Sequence, residues 1–301
     1  MVNNDLHNTA LANKIKFTAI PVACLKDIKT DIEKFKQAYS YELNNFQKWI
    51  VNERYITEIN GADFDVKSIV VAVGGYHMFK AVFNHDNKQV SDTIGYPAVD
   101  LKNYLTNIFS DHGYKLDYVH WMPQKLMAVR SGMVEYGRNN ISYDKDFGSF
   151  IELATFISDM PPSDYIWRES HNSENCDGCS ACFSNCPTGA ISSERFLIDT
   201  DKCLAAINEY STDPFPDWIS ETAHHKLVGC IRCQNVCPMN FTALENITDS
   251  LEFDTAETDE ILSGKALDDL PDKFKKLNVH YAWNSVPRNL TAMFNNPDLV
   301  R

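Results

Sequence analysis

Eight cysteines between residues 176 and 237 carry the most distinctive chemistry in this sequence. The first four have the spacing C-x2-C-x2-C-x3-C-P, the last three have the spacing C-x2-C-x3-C-P, and one lies between the two groups. Each iron of a 4Fe-4S cluster takes one thiolate, so eight thiolates complete two clusters. The predicted ligands are Cys176, Cys179, Cys182, Cys186, Cys203, Cys230, Cys233 and Cys237. The sequence therefore predicts a protein that transfers electrons.

The cysteine spacing also predicts which thiolates share a cluster. With this spacing, the fourth cysteine of the first group binds the other cluster. We therefore expect one cluster on Cys176, Cys179, Cys182 and Cys237, and the other on Cys186, Cys203, Cys230 and Cys233. Zinc is the alternative because C-x2-C also occurs in zinc sites, although three successive thiolates at this spacing fit zinc poorly. His224 and His225, which precede the last cysteine group, are expected to form a solvated turn.

Composition and charge narrow the classes of protein and partner. The 301 residues are 44% apolar and 23% charged, which is ordinary for a globular protein, and the formal net charge is −13. This charge disfavours nucleic-acid partners such as tRNA, because Lys and Arg supply most of the affinity for phosphate backbones. No apolar run approaches the roughly 20 residues of a membrane span, and the N-terminus lacks the apolar core of an export signal. We expect a cytoplasmic protein with no membrane partner.

Hydrophobic periodicity predicts helices interleaved with strands over the first 165 residues, which favours an α/β (α+β) fold. Helices are predicted over residues 25–50, 100–109 and 124–131, and strands over 66–73, 116–121 and 150–157. The first strand is predicted to end in a turn at Gly74 and Gly75. We expect an α/β domain over residues 1–165, a cluster domain over 166–245 and a mostly helical tail over 246–301. Cys24 is predicted to be a buried small hydrophobic residue.

The α/β domain contains a glycine-bearing segment that could approach a ligand closely. In the segment RSGMVEYGRNN, Gly132 and Gly137 lie five residues apart, a spacing that allows the backbone to contact a large planar or phosphate-bearing ligand. Two ordinary turns are the alternative. The sequence contains no G-x-G-x-x-G motif, no P-loop and no D-x-H-x-x-G corrinoid signature.

These segments together resemble a known enzyme family. The run CDGCSACFSNCPTGAISSERFLIDTDKC, followed by GCIRCQNVCPMN, resembles the cluster domain of epoxyqueuosine reductases. RSGMVEYGRNN, followed by FGSFIELATFISDMP, resembles the corrinoid-binding segment that these enzymes share with reductive dehalogenases, and its E-x-G-R-N form is closer to the dehalogenase version. The resemblance implies that five residues bind the corrinoid: Gly132, Glu135, Gly137, Arg138 and Asn139. A surface salt bridge is the alternative role for Arg138.

The same resemblance implies a fold and a set of cofactors. A nitroreductase-like cobalamin-binding domain would precede a ferredoxin-like domain that holds two 4Fe-4S clusters. The cobalamin would be bound base-off and reduced through the clusters, and an external donor such as a ferredoxin or flavodoxin would supply the electrons. The protein itself would place the cobalt against the substrate and exclude water.

One departure from the family concerns the proton donor. Epoxyqueuosine reductases carry an acidic donor in a D-S/T-x-P-like segment, where this chain has LDYVHWMPQKL. Reductive dehalogenases use a tyrosine, so Tyr118 is the candidate general acid here. The alternative is that Tyr118 packs in the core as a strand residue, and that His120 is a hydrogen-bonded core histidine.

The sequence therefore predicts an oxidoreductase: a corrinoid-dependent iron–sulfur reductase that acts on a small organic substrate. Two alternatives remain open at this point. The chain could be an epoxyqueuosine reductase that acts on tRNA, or a non-catalytic electron-transfer or corrinoid-reactivating protein.

Overall fold

The computed structural model of the chain describes residues 2–39, 42–162, 164–193, 197–245, 247 and 249–301. These residues form two compact units, each assembled from separate stretches of chain. The first unit comprises Met1–Tyr76, Pro97–Gly137 and Ile141–Asn175, and the second comprises His77–Tyr96, Arg138–Asn140 and Cys176–Arg301. The division at residues 165 and 245 stays a prediction. The association of residues 77–96 and 138–140 with the cysteine-rich part is not predicted by the sequence.

Helices and strands alternate along the chain as the α/β (α+β) prediction requires, and this fold class is confirmed. The helices are α1 (Val2–Ala12), α2 (Leu25–Tyr39), α3 (Asn45–Trp49), α4 (Leu101–Asp111), α5 (Gln124–Arg130), α6 (Ala181–Ser184), α7 (Leu204–Tyr210), α8 (Arg232–Asn235), α9 (Phe241–Glu245), α10 (Thr255–Leu262), α11 (Asp272–Lys275) and α12 (Val286–Asn295). The strands are β1 (Ile15–Pro21), β2 (Ser68–His85), β3 (Lys88–Pro97), β4 (Leu116–Tyr118), β5 (Glu135–Tyr136), β6 (Ser142–Tyr143), β7 (Ile151–Ser158) and β8 (Ser250–Phe253).

The first unit is built on an antiparallel sheet with the strand order β1-β2-β7-β4. Its central strand β2 is apolar on both faces. Val70 and Ala72 pack with residues of α1 and α4, whereas Ile69, Val71 and Val73 pack with residues of α2 and α5. Because helices cover both faces, successive residues of this strand are all buried, which explains the continuous β-branched run in the sequence.

Gly74 and Gly75 lie inside β2, so the predicted turn at this position is wrong. The strand continues to His85. The glycines satisfy a packing requirement instead, because a Cβ atom on Gly75 would lie 3.0 Å from the ring of Phe147, and one on Gly74 would lie 3.4 Å from Leu101. A glycine inside a strand commonly marks such a close approach.

The predicted helix over residues 25–50 is also incorrect as a single element. α2 ends at Tyr39, residues 40–41 lie outside the described residues, and α3 begins after Asn44. The Asn44 side chain accepts from the backbone N–H of Gln47, and the Gln47 side chain accepts from the backbone N–H of Asn44. This capping box starts a new helix where the apolar spacing suggested continuation. The helices predicted near residues 100–109 and 124–131 are confirmed, as is the strand near 150–157.

The second unit has its own sheet and core. The later half of β2 pairs with β3 and, in parallel, with β8, which aligns Phe83 with Phe253. Their rings stack at 5.0 Å, and the surrounding core includes Trp283, Leu290 and Met293 from the C-terminal segment. The C-terminal segment is mostly helical as predicted. Among the described residues, none of the helices has both the length and the apolar character that a membrane crossing requires.

Candidate functional site

The cysteines of the second unit lie on short turns and helix ends. Cys182 lies in α6 and Cys233 in α8, each a helix of four residues, and Cys203 directly precedes α7. The backbone N–H of Cys179 donates to the Cys176 carbonyl at 3.2 Å. Each cysteine of the two groups, and Cys203, is partly buried and free of a disulfide bond. The cysteines therefore lie on short turns whose backbone is held by local hydrogen bonds.

Electrostatic neighbours divide the cysteines into two sets. Burial raises the pKa of Cys182, and the charges of Cys176 and Cys179 raise it further. Burial likewise raises the pKa of Cys230 to about 11, with Cys203 and Cys186 adding to the shift. Cys176, Cys179 and Cys182 form the first set, and they are three members of one predicted cluster.

The second set contains the other predicted ligands. Burial raises the pKa of Cys233 to about 12, and the charges of Cys230 and Cys203 contribute, with Cys182 of the first set making a smaller contribution. Burial raises the pKa of Cys203, and hydrogen bonds from the backbone N–H groups of Ala205 and Ala206 lower it. These neighbours support the predicted assignment, which stays a prediction. The first set has three of the four thiolates that a 4Fe-4S cluster takes, and Cys237 is the predicted fourth.

Arg138 and Asn139 lie against cysteines. The backbone N–H of Arg138 donates to Cys176 Sγ at 3.3 Å, and its guanidinium donates to the carbonyls of Cys176 at 3.1 Å and Ser193 at 3.0 Å. The side chain of Asn139 donates to Cys233, which lowers the pKa of that thiol. The resemblance implied that both residues contact a corrinoid, and that role stays a prediction. Residues 194–196 of the run that carried the resemblance lie outside the described residues.

The other predicted corrinoid contacts belong to the first unit. Gly132 has a φ of +70°, and a Cβ atom there would lie 3.3 Å from the Ile166 side chain. Glu135 lies in β5 opposite Tyr143, and the N–H of Gly137 donates to the carbonyl of Ile141 at 2.8 Å. These residues therefore form a tight hairpin, and their contact with a corrinoid stays a prediction.

Tyr118 lies at the end of β4 within a polar network. Its hydroxyl is 3.0 Å from His120 Nδ1 and accepts from the Gln124 side-chain amide at 3.3 Å. Lys102 Nζ lies 4.2 Å from the centre of the Tyr118 ring, and the Phe156 ring packs edge-on at 5.6 Å. Tyr118 is partly buried and His120 is exposed, so the core-histidine alternative for His120 is wrong. The Tyr118 hydroxyl therefore has two polar neighbours, and its role as general acid stays a prediction.

Several titratable side chains of the first unit have pKa values shifted by desolvation, which the sequence does not predict. Lys125 is exposed, yet the surrounding protein desolvates its ammonium group and lowers its pKa to about 8. Tyr55 is 36% exposed, and burial nevertheless raises the pKa of its hydroxyl. Desolvation also raises the pKa of Tyr136, whose neighbour is Tyr55. It raises the pKa of Tyr76 to about 12.

The prediction of a solvated turn at His224 and His225 is wrong. His224 is buried, and His225 Nδ1 lies 2.8 Å from the Ala223 carbonyl. The backbone N–H of Ile231 donates to His225 Nε2 at 3.3 Å, so His225 is neutral with its proton on Nδ1. Burial accordingly lowers the pKa of His225 to about 4. The histidine fixes the backbone between Cys230 and Cys233.

Comparison with known proteins adds to this geometry. Residues 175–240 match the family described as the 4Fe-4S double cluster binding domain, a range that includes each predicted cluster cysteine. Over 117 residues the chain is 32% identical to an epoxyqueuosine reductase of Cyclobacterium marinum. The matched stretch covers 39% of this chain and 36% of the relative. The chain is related to the epoxyqueuosine reductases. The match spans about a third of the length of that relative, so it does not show that this chain has the activity of the whole enzyme.

Solved epoxyqueuosine reductases share the fold over nearly the whole chain. One, crystallised with an epoxyqueuosine-modified stem loop of a tyrosine tRNA, has a TM-score of 0.61 and 19% identity, and the alignment covers 97% of this chain and 80% of that one. Another, from Bacillus subtilis and described with an aspartate-bearing catalytic loop, has a TM-score of 0.55 and 18% identity, covering 99% and 82%. The relationship to epoxyqueuosine reductases therefore extends beyond the cysteines at the level of fold.

Proposed function

We propose that this chain is an iron–sulfur oxidoreductase of the epoxyqueuosine reductase kind. Two 4Fe-4S clusters in the second unit pass electrons to a further redox centre, which reduces the substrate. The observation that carries the proposal is the match of residues 175–240, which include the eight predicted ligands, to the 4Fe-4S double cluster binding domain. An external donor such as a ferredoxin or flavodoxin supplies the electrons.

The further redox centre is proposed to be cobalamin. The support for this proposal is the resemblance of the segment RSGMVEYGRNN to the corrinoid-binding segment of the family. Backbone contact at Gly132 and Gly137 is part of the proposal. A bound corrinoid would supply a low-valent cobalt for reduction of the substrate. The protein's share is to orient the ligand, exclude water and hold a proton at the Tyr118 oxygen.

The proposed substrate is epoxyqueuosine in tRNA. The curated relatives named epoxyqueuosine reductase and the fold neighbour solved with a tRNA stem loop support this substrate over the small organic molecule expected from the sequence. The charge of −13 had disfavoured nucleic acid, but a net charge averages the whole surface and does not describe the face that would meet tRNA.

A small organic substrate is the second candidate. The polar network of Tyr118, His120 and Gln124 favours it, because the sequence resemblance connects a tyrosine donor with reductive dehalogenases. A phenol is a weaker acid than a carboxyl group, so the two candidates differ in the proton donor as well as in the substrate.

The test is reduction of an epoxyqueuosine-modified stem loop under anaerobic conditions, with reduced flavodoxin as donor and added cob(II)alamin. Mass spectrometry of the nucleosides is expected to show queuosine with the wild-type protein and at least tenfold less with Tyr118→Phe. Cob(II)alamin is expected to remain with the protein through gel filtration.

The outcomes separate the candidates. Retained cobalamin without queuosine would exclude the tRNA substrate and favour the small-molecule candidate. No retention of cobalamin would contradict the corrinoid proposal. A stem loop converted equally well by Tyr118→Phe would contradict the role of Tyr118 and leave the substrate assignment intact.

A further inference from the structure

Two adjacent residues of the second unit contact cysteines that belong to different predicted clusters. The backbone N–H of Arg138 donates to Cys176 Sγ at 3.3 Å. The side-chain amide of Asn139 donates to Cys233. Cys176 is a predicted ligand of one cluster and Cys233 of the other, so one dipeptide supplies a hydrogen-bond donor to each.

The donor from Arg138 is held in place by its own side chain. Its guanidinium group spans the carbonyls of Cys176 at 3.1 Å and Ser193 at 3.0 Å. A planar guanidinium group that makes two such bonds fixes the backbone from which it extends. The main-chain N–H is therefore oriented toward Cys176 Sγ by contacts that do not involve the cluster itself.

The donor from Asn139 is shielded from water. Asn139 is only 3% exposed, so solvent does not compete with the bond to Cys233. Hydrogen bonds to a charged acceptor are stronger than neutral ones, and low local dielectric strengthens them further. The amide thus favours additional negative charge at this sulfur.

These contacts have a direct consequence for electron transfer. A 4Fe-4S cluster gains one negative charge when it is reduced, and hydrogen bonds to its sulfur atoms stabilise that charge. Loss of a donor therefore lowers the reduction potential. A donor on one cluster acts on that cluster more strongly than on the other, because the interaction weakens with distance.

We propose that Arg138 and Asn139 are positioning residues that set the reduction potentials of the two clusters separately, Arg138 through Cys176 and Asn139 through Cys233. The proposal rests on the electron-transfer part of the proposed function and is independent of the substrate. It also gives these residues a task in the cluster segment in addition to the corrinoid contact that the sequence resemblance implied.

The test is an anaerobic redox titration of the iron–sulfur protein, followed by electron paramagnetic resonance and without any substrate. Asn139→Asp removes the donor and preserves the shape of the side chain, and Asn139→Ala removes the group altogether. Both variants are expected to lower one potential and leave the other unchanged. A tenfold lower ratio of reduced to oxidised cluster at a fixed potential corresponds to about 59 mV for one electron. Arg138→Ala is expected to lower the other potential.

Asn185→Ala is the matched control. Asn185 directly precedes Cys186, but its amide donates to the Ala181 carbonyl at 2.9 Å and the side chain is exposed. This variant is expected to keep both potentials. Iron analysis of every variant identifies changes in cluster content.

Several outcomes would overturn the proposal. Potentials that stay unchanged in both Asn139 variants would exclude tuning by the amide, and equal shifts of both clusters would exclude separate control. Loss of about four irons in both variants would show that Asn139 is needed for assembly of a cluster and not for its potential. Failure of the stem-loop assay with unaltered potentials would affect only the proposed substrate.

Discussion

At the scale of single residues, Lys125 combines exposure with a strongly lowered pKa. The surrounding protein desolvates the ammonium group and lowers its pKa to about 8, whereas a lysine ordinarily titrates near 10.5. The neutral amine, which is the nucleophilic form, therefore accumulates as the pH rises through about 8. At pH 8.5 we expect Lys125 to be acetylated by a limiting amount of acetic anhydride at least tenfold faster than an ordinary lysine, as measured by peptide mass spectrometry.

Lys29 is the internal control for that measurement. Its ion pair with Glu58 at 2.8 Å raises its pKa, so its neutral form stays scarce at pH 8.5. Labelling of Lys125 is expected to fall steeply between pH 9 and pH 7. Equal rates and equal pH profiles for Lys125 and Lys29 would contradict the lowered pKa of Lys125.

The residues of the site differ in how far the sequence could predict them. The cysteines are predictable because cluster geometry dictates their spacing along the chain. The contact of Asn139 with Cys233 is not predictable, because it joins residues almost a hundred positions apart. The same limit applies to Lys125, whose pKa depends on atoms that surround it only in the folded chain. A local pattern such as C-x2-C is readable, whereas a long-range contact is not.

At the scale of elements, Gly75 is the position where a packing constraint within β2 is testable. A Cβ atom there would lie 3.0 Å from the Phe147 ring, which is closer than ordinary van der Waals contact. Gly75→Ala is expected to lower the free energy of unfolding by about 1–3 kcal/mol, the usual cost of overpacking. Urea denaturation followed by far-UV circular dichroism measures the change.

Gly74→Ala is the matched control in the same strand. Its added methyl group would lie 3.4 Å from the flexible end of Leu101, so the side chain is able to adjust. The substitution also restricts the unfolded chain, which stabilises the folded state by about 0.4–1 kcal/mol where the backbone permits alanine. We expect a change near zero for Gly74→Ala. A cost as large as that of Gly75→Ala would mean that loss of glycine itself, and not the contact with Phe147, decides the result.

The helices and strands show why the sequence predicts the type of an element better than the residues at which it begins and ends. α4, α5 and β7 were predictable because their apolar spacing matches a face that is buried. The strand predicted over residues 66–73 stops twelve residues before the end of β2 at His85, since the glycines suggest a turn and here allow close packing instead. The break after α2 depends on the Asn44–Gln47 capping box, whose signal is weaker than the apolar periodicity that runs across it.

At the scale of the whole molecule, stability is distributed unevenly. The first unit has apolar cores on both faces of its sheet, and β3, β8 and α12 belong to a core with buried aromatic residues. Among its described residues, the segment that carries the cysteines has a small apolar cluster of its own, formed by Leu204, Ile219 and Ala223, besides a few other buried apolar side chains such as Leu197 and Leu227. Its helices α6 and α8 have four residues each, which is too short for independent stability.

Removal of iron is therefore expected to unfold the cysteine segment and to leave the large cores folded. Metal binding contributes directly to the folding free energy of such segments. After anaerobic chelation, hydrogen exchange measured by mass spectrometry should be faster by at least tenfold in peptides from residues 176–237, with little change in β7 and α12. Reconstitution with iron and sulfide should restore the protection. If the cysteine segment keeps its protection without iron, side-chain packing and hydrogen bonds such as that of His225 with Ile231 suffice to hold it, and the clusters serve only electron transfer.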